Sequence, residues 1–330
     1  RGQEVRPEGP QARDVQGSQD QVRRPRRLIP RRTRRPAGFS FPVLGSYYPL
    51  SAAHYPLSPV PELPEVETTR RGIRPALRGR AVSGFVLRER RLRWPVDVRL
   101  VHELPGQRVV EVRRRAKYLL IELERGTLVA HLGMSGSLRV LKASTPLLTH
   151  DHYDLLLDSG RCLRFNDPRR FGCLLWVTGD PEEHPLLASL GPEPLESGFD
   201  ADYLASKARG RRVAIKQFLM DQRIVVGVGN IYASEALFRA GINPRRAAGR
   251  VSRDRFGQLV EAVRDVLGAA IRQGGTTLRD YVNPDGIPGY FRQELFVYER
   301  AGEPCRHCGI SIRQITQGQR STYFCPACQR

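Results

Sequence analysis

The pattern of apolar and polar residues changes character along this chain. From residue 81 to residue 177, short runs rich in β-branched, aromatic and leucine residues are separated by turn residues, which predicts strands rather than helices. Eight strands of an antiparallel β-sandwich are therefore expected. They cover residues 82–88, 108–113, 118–124, 127–132, 137–141, 153–158, 162–166 and 173–177.

After the run Gly191-Pro192-Glu193-Pro194, which is typical of a domain boundary, apolar residues recur at helical spacing. Helices are predicted over residues 201–209, 213–220, 230–240 and 252–273. One more helix is predicted ahead of the strands, because Val66, Ile73 and Leu77 lie near helical spacing behind two prolines and several acids. The expected fold class is therefore α+β.

Residues 1–60 form an arginine-rich extension with little apolar pattern, and this composition predicts disorder. Positive charge is not confined to the extension. Residues 1–59 contribute +7 to the formal charge of +20, and residues 60–330 contribute +13. This balance favours a nucleic-acid partner, but it does not separate a DNA-acting enzyme from a ribosomal protein. A run of 18 or more apolar residues is absent, so no membrane partner is expected.

Four cysteines near the C-terminus have the spacing Cys305-x2-Cys308-x16-Cys325-x2-Cys328. Two such pairs place four thiolates for tetrahedral zinc binding and leave no coordination position open for chemistry. Disulfides are the alternative, disfavoured by the lack of a signal peptide and by Cys162 and Cys173, which we interpret as buried apolar residues. One structural Zn²⁺ is the expected cofactor, and His307 is not needed as a ligand.

Pro61 and Glu62 carry the candidate covalent chemistry. Inside a chain a proline nitrogen is an amide and is not nucleophilic. A chain beginning at Pro61 would instead present a secondary amine, and terminal amines have a pKa near neutrality. Such an amine can attack an electrophilic carbon and form an iminium, with Glu62 as a general acid. Alternatively, Pro61 and Pro64 only mark the start of a helix, and both interpretations are compatible.

The residues from Pro61 to Gly72 resemble the amino terminus of bacterial formamidopyrimidine-DNA glycosylase, and the similarity extends over residues 61–330. In that family the initiating methionine is removed and the exposed proline is the nucleophile. The resemblance implies base-excision repair of oxidised purines, by a glycosylase that also cuts the abasic strand by β,δ-elimination. Leu63 and the run Val66-Glu67-Thr68 favour this branch over the related endonuclease VIII type, which removes oxidised pyrimidines and stays open as an alternative.

The same resemblance implies roles for further residues of this chain. Pro61 attacks C1′ while Glu62 protonates the sugar ring oxygen. Lys117 contacts a phosphate of the damaged nucleotide and assists β-elimination, and Arg320 contacts phosphate and serves δ-elimination. The residues implied to fill the gap left by the flipped nucleotide are Met134, Arg169 and Phe171, and those implied to contact DNA elsewhere are His150 and Arg211.

The run from Val225 to Tyr232 places two glycines before a predicted helix start. Glycines there allow a DNA phosphate to approach the exposed N–H groups of the helix N-terminus, and Asn230 can cap the helix or add a DNA-binding donor. With its flanking helices, this run is similar to the helix-two-turn-helix of the family. Residues 274–277 and 283–289 flank a segment that in relatives covers the damaged base.

Val60 stands where the family has its initiating methionine. The chain has 50 arginines and four lysines, a skew expected of a GC-rich coding sequence, and GTG encodes valine when it is not read as a start codon. We therefore expect Val60 to be an initiator methionine. Residues 1–59 are then either translated upstream sequence or a segment that must be removed. The expected domains are a catalytic β-sandwich (61–192), a helix-two-turn-helix domain (193–296) and a zinc finger (297–330).

The expected partner is damaged double-stranded DNA, bound by a monomer in the bacterial cytoplasm in association with the nucleoid. A more distant alternative is a non-catalytic zinc-ribbon DNA-binding protein, which the basic charge and the four cysteines alone would permit. A covalent link to abasic-site DNA separates these alternatives, because only an amine nucleophile forms one.

Overall fold

The computed structural model describes residues 61–274 and 295–330. The predicted extension over residues 1–60 and most of the predicted covering segment, from residue 275 onward, lie outside the described residues.

Eight antiparallel strands form two four-stranded sheets, one in the order β1-β6-β7-β5 and the other in the order β2-β3-β4-β8. All eight predicted strands are confirmed, with ends that differ by at most two residues. A short helix, α2 (Leu100–Glu103), lies between β1 and β2 and was not predicted. The strands are β1 (Val82–Leu87), β2 (Val109–Arg115), β3 (Tyr118–Leu123), β4 (Gly126–His131), β5 (Ser137–Lys142), β6 (Asp151–Leu157), β7 (Arg161–Asn166) and β8 (Cys173–Val177).

The two sheets share one hydrophobic core with the first helix, α1 (Leu63–Leu77). Phe85 from one sheet and Leu119 from the other lie in the same buried cluster as Ile73 of α1. The buried residues of both sheets and the buried side of α1 therefore face the same interior. Cys162 and Cys173 are buried within these sheets as free thiols, which confirms their apolar role.

The helical region comprises α3 (Ala201–Ala208), α4 (Ile215–Met220), α5 (Asn230–Arg239) and α6 (Arg253–Arg272). Each was predicted, with ends that shift by at most two residues. Side-chain caps help to set two of these starts: Asp200 accepts the N–H of Tyr203, and Ser252 accepts that of Arg255. These helices enclose a second buried cluster, to which α6 contributes one apolar stripe.

The C-terminal part is a hairpin of β9 (Arg313–Gln317) and β10 (Arg320–Phe324), where a hairpin tip was predicted. Its buried residues Ile312 and Tyr323 pack with Ile231 and Phe238 of α5. This cluster ties the hairpin to the helix that begins at Asn230. Within residues 61–274 and 295–330, none of the helices has the length and apolar character needed to cross a lipid bilayer.

Candidate active site

The start of α1 is seated against the loop that precedes α5. The N–H of Leu63 donates to the carbonyl of Gly227 at 3.1 Å, and Leu63 is fully buried. Gly227 has φ +78°, and a Cβ there would lie 2.5 Å from the Leu63 side chain. Only glycine can adopt this φ and let the loop pack so closely against Leu63. The loop therefore packs against the segment that begins at the buried Pro61.

Glu62 places its carboxylate on the N-terminus of α5. Its oxygens accept the backbone N–H of Gly229 at 2.8 Å, of Ile231 at 3.1 Å and, at a longer 3.5 Å, of Tyr232. Burial raises the pKa of Glu62 from its ordinary 4.5 to about 6, and the nearby Lys117 opposes this shift. The side chain therefore holds a proton more readily than an exposed glutamate, as a general acid must.

The two-glycine run before α5 already binds one anion, the carboxylate of Glu62, through the N–H groups of Gly229 and Ile231. The approach of a DNA phosphate to this helix start stays a prediction. A Cβ on Gly229 would lie 2.2 Å from the Glu62 carboxyl carbon, so the missing side chain makes room for the acid itself. A helix N-terminus attracts anions, and at α5 the nearest anion is a side chain of the same protein.

Lys117 lies in the tight turn between β2 and β3 and faces this acid. It is 9% exposed, and burial lowers its pKa, while the attraction of Glu62 acts in the opposite direction. The preceding residue, Ala116, has φ +55°, and its N–H donates to Glu193 Oε1 at 2.7 Å. Glu193 therefore fixes the turn that carries the lysine, although the sequence indicated only a domain boundary there.

Lys216 on α4 is a second buried lysine that sequence reasoning missed. Its Nζ donates to Asn230 Oδ1 at 2.7 Å, to Thr322 Oγ1 at 2.9 Å and to the carbonyl of Ser321 at 3.1 Å. Burial lowers its pKa to about 7, an effect that the attraction of Glu62 reduces. A usable signal was the rarity of lysine: with 50 arginines available, each of the four lysines marks a candidate for a compact, deprotonatable ammonium.

Arg320 opens β10 at the tip of the hairpin and is exposed. With Lys216 and Gly318 it lines a cleft of about 170 Å³ between the hairpin and α4. Asn230 connects the two sides, since its Nδ2 donates to the carbonyl of Ser321 at 3.1 Å. The structure thus brings Glu62, Lys117, Asn230 and Arg320 to one side of the α5 N-terminus.

Met134, Arg169 and Phe171 lie on two adjoining loops. A Cβ on Gly133 would lie 2.4 Å from the backbone nitrogen of Gly172, so the loops meet backbone to backbone. The Arg169 guanidinium stacks over the Phe171 ring at 4.8 Å, and that ring is 42% exposed. The exposed Arg169 and Phe171, beside the half-buried Met134, are suited to enter an opened base stack.

His150 and Arg211 are exposed and lie outside this cluster. His150 has φ +73°, and its carbonyl accepts the N–H of Asp167, which attaches its loop to the one carrying Arg169. Arg211 lies on the loop between α3 and α4. Nothing in the described contacts joins Arg211 to Glu62 or Lys117.

The four C-terminal cysteines converge on one point. Their sulfur atoms all lie within 4.8 Å of one another, with Cys308 and Cys325 at 3.5 Å and Cys305 and Cys328 at 3.9 Å. A zinc tetrahedron with bonds of about 2.3 Å has sulfur–sulfur edges near 3.8 Å, whereas a disulfide needs about 2.05 Å. The donor set therefore fits zinc, and the disulfide alternative is excluded. The His307 ring packs against Phe238 instead.

Three known protein-family models match three successive parts of this chain. Residues 60–174 match the family model of the formamidopyrimidine-DNA glycosylase N-terminal domain, and residues 190–282 match that of its H2TH domain. Residues 302–330 match the zinc finger found in FPG and IleRS. Together these matches cover the sandwich, the helices and the hairpin.

The similar curated proteins are bacterial. The formamidopyrimidine-DNA glycosylase of Stenotrophomonas maltophilia is 59% identical over 271 residues, and that of Thioalkalivibrio sulfidiphilus is 62% identical. Each alignment covers 82% of this chain and all of the relative.

Solved structures are similar too. The MutM (FPG) protein of Thermus thermophilus is 44% identical, with a TM-score of 0.73 over 82% of this chain and 98% of its own. A Lactococcus lactis FPG mutant in complex with Fapy-dG-containing DNA is 32% identical, with a TM-score of 0.76 over 82% of this chain and all of its own.

Proposed function

This chain belongs to the formamidopyrimidine-DNA glycosylase family, and we propose that its nucleophile is the nitrogen of Pro61, present as a free secondary amine. The enzyme removes oxidised purines from duplex DNA and cuts the strand at the resulting abasic site. The observation that carries the assignment of Pro61 is its neighbour: the Glu62 carboxyl group is buried on the α5 N-terminus with a pKa raised to about 6.

The length of the relatives supports a native chain that starts at Val60. Their complete sequences align over 271 residues, which equals the number of residues from Val60 to Arg330. The family match also begins at residue 60. Removal of an initiator methionine at that position would expose Pro61 as the amine.

The proposed reaction uses groups that the fold brings to one place. The lone pair of the Pro61 nitrogen forms a bond to C1′, and the purine leaves with the electrons of the glycosidic bond. The proton on the nitrogen passes to the departing purine, and the nitrogen electrons form the iminium as the C1′–O4′ bond breaks and O4′ takes the proton from Glu62. The iminium acidifies the C2′ proton, which the Glu62 carboxylate or solvent accepts as β-elimination expels the 3′ phosphate. Loss of the C4′ proton to solvent then allows δ-elimination of the 5′ phosphate.

The remaining residues bind and position the DNA in this proposal. Lys117 and Arg320 neutralise phosphates beside the reacting sugar, and Met134, Arg169 and Phe171 fill the space left by the flipped nucleotide. His150, Arg211 and Asn230 contact the backbone. Cys305, Cys308, Cys325 and Cys328 hold one zinc ion, which supplies no chemistry and fixes the hairpin that carries Arg320.

We further propose the domain boundaries of the protein, its oligomeric state and its place in the cell. The separate buried clusters of the sandwich and of the helices support domains over residues 61–192 and 193–296. The four converging cysteines support a zinc finger over residues 297–330. The bacterial relatives and the DNA substrate favour a monomer that works in the cytoplasm at the nucleoid.

Borohydride trapping on abasic-site DNA tests the nucleophile. A chain that starts at Pro61 is expected to become covalently linked, because borohydride reduces the iminium to a stable amine. The same chain acylated at the Pro61 nitrogen, or still joined to Val60, is expected not to trap. Undiminished trapping by either blocked form would show that another amine is responsible. Parallel duplexes with an oxidised purine or an oxidised pyrimidine would separate this enzyme from the endonuclease VIII type.

A further inference from the structure

Glu65 is a second buried carboxylate at the start of α1. It is 1% exposed, and its Oε2 accepts the backbone N–H of Glu62 at 2.8 Å. That N–H belongs to the peptide bond between Pro61 and Glu62. Because a peptide unit is planar, a partner that fixes its N–H also fixes the carbonyl and Cα of Pro61.

Tyr232 in the first turn of α5 holds the other oxygen of this carboxylate. Its hydroxyl donates to Glu65 Oε1 at 2.7 Å, and the tyrosine is 1% exposed. A hydrogen bond between two buried groups is costly to break, because neither group can turn to solvent instead. With one oxygen held by Tyr232 and the other by the Glu62 amide, the carboxylate cannot rotate without breaking a bond.

The backbone of Tyr232 also reaches Glu62. Its N–H points at Glu62 Oε2 at 3.5 Å, beside the shorter contacts from Gly229 and Ile231. The first turn of α5 therefore contacts both carboxylates of the α1 start, one through backbone N–H groups and the other through a phenol. This arrangement couples the direction of residue 61 to a helix that lies far away in the sequence.

We propose that Tyr232 is a positioning residue that holds Glu65 against the Pro61–Glu62 amide and thereby aims the Pro61 nitrogen at C1′. Tyr232 need not touch the DNA, because it acts through Glu65. This inference rests on the proposed function, since it assumes that the Pro61 nitrogen attacks the sugar.

The test is Tyr232→Phe in a chain that starts at Pro61, because this change removes the hydroxyl and keeps the buried ring. We expect single-turnover excision from formamidopyrimidine-containing duplex and borohydride trapping on abasic DNA each to slow about tenfold, as loss of one buried hydrogen bond allows. The Kd for a duplex with a tetrahydrofuran abasic analogue is expected to stay unchanged. A merely structural defect would not separate rate from affinity in this way.

Tyr203→Phe is the matched control. The Tyr203 hydroxyl donates to the carbonyl of Ile224 at 2.9 Å in the same helical region, so this variant also loses a tyrosine hydrogen bond. It is expected to lose similar thermal stability to Tyr232→Phe and to excise at the wild-type rate. Equal rate losses in both variants, or a loss of affinity that accounts for the slower rate, would overturn the inference.

Trapping by the wild type distinguishes a failure of the proposed function from a failure of the role proposed for Tyr232. If the wild-type chain starting at Pro61 does not trap abasic DNA, the proposed function fails and this inference fails with it. If the wild type traps and Tyr232→Phe is equally fast, only the positioning role of Tyr232 is overturned.

Discussion

The pKa of Glu62 is set by the burial of its side chain, by three backbone N–H groups and by a nearby lysine. Burial alone disfavours the charged form, whereas the N–H groups of α5 and the ammonium of Lys117 favour it. Burial is the largest of these effects, so the pKa of Glu62 rises to about 6. The carboxyl group is thus poised to release a proton near the pH of a bacterial cell.

The pH dependence of base excision follows from this value. Glu62 must carry a proton and Pro61 must lack one, and a terminal amine ordinarily has a pKa of about 8. Below pH 6 Glu62 is already protonated and the amine is progressively lost, so the rate falls. Between about 6 and 8 the two populations change in opposite directions and the rate is level, and above 8 the loss of protonated Glu62 lowers it again.

Single-turnover excision measured against pH checks this expectation. The acidic limb is expected at about pH 6. A limb near 4.5, the ordinary value for glutamate, would contradict the buried environment of Glu62.

The substitution Gly229→Ala tests whether excision depends on the position of the Glu62 carboxyl group. In Gly229→Ala the new Cβ would lie 2.2–2.6 Å from the Glu62 carboxyl atoms, so the acid must leave its N–H partners. We expect excision to slow on the order of 100-fold, the equivalent of about 2.7 kcal/mol, because several hydrogen bonds to a charged group are lost. Single-turnover kinetics measure the change.

Gly257→Ala provides the matched control for this substitution. Gly257 lies inside α6, and a Cβ there meets nothing within 4 Å. Alanine in a helix interior should stabilise the protein by about 0.5–1 kcal/mol and leave the excision rate unchanged. A comparable rate loss in both variants would show that the effect at Gly229 is not local.

At the scale of elements, a buried ion pair attaches the loop between β5 and β6 to the sheet. Arg164 on β7 is 1% exposed and makes two bonds of 2.9 Å to the carboxylate of Asp154 on β6. Its remaining nitrogen donates to the carbonyls of Thr145 and Pro146. The arginine therefore anchors the loop that leads to His150.

Arg164→Ala is expected to destabilise the protein by about 3–5 kcal/mol, because it leaves the buried Asp154 carboxylate without this partner. Urea unfolding measures the loss. Arg253→Ala, which breaks the exposed pair with Asp202, is the control and is expected to change stability little. If both variants lose the same stability, the buried pair has no special role.

At the scale of the whole molecule, the zinc hairpin is attached to the helices from several sides. Lys216 bonds to Ser321 and Thr322 of β10, and the side chain of Gln329 donates to the carbonyl of Ile242 at 2.9 Å. Gln329 also accepts the N–H of Cys325 at 2.8 Å, so the metal knuckle and the helical region share one residue. The hairpin that carries Arg320 is thus held by these hydrogen bonds as well as by the four-cysteine site.

Removal of zinc is expected to abolish strand cleavage, because the hairpin loses its fixed geometry. Cys325→Ser should lower the zinc content measured by elemental analysis from one ion per chain and stop incision of abasic DNA. Cys162→Ala changes a buried cysteine outside the cluster and should keep both zinc and incision. Full incision by a zinc-free chain would contradict this role of the metal.

Strands, helices and the zinc ligands were predictable because their signals are local. Short runs of β-branched, aromatic and leucine residues between turn residues indicate strands, and the spacing of Cys305, Cys308, Cys325 and Cys328 already indicates a four-ligand site. The resemblance to the glycosylase family supplied the predicted roles of the site residues. The contacts of Lys216 and Glu193 escaped prediction because their partners, in β10 and in the turn between β2 and β3, lie far away in the sequence.

What the amino-acid order alone decides is therefore the set of elements, the metal ligands and the identity of the acid beside Pro61. What the folded chain adds is the environment of that acid: the N–H groups from Gly229 to Tyr232 and the ammonium of Lys117 come from distant parts of the sequence. Hydrogen bonding and burial act through space, so a carboxylate from the start of α1 comes to accept N–H groups at the start of α5.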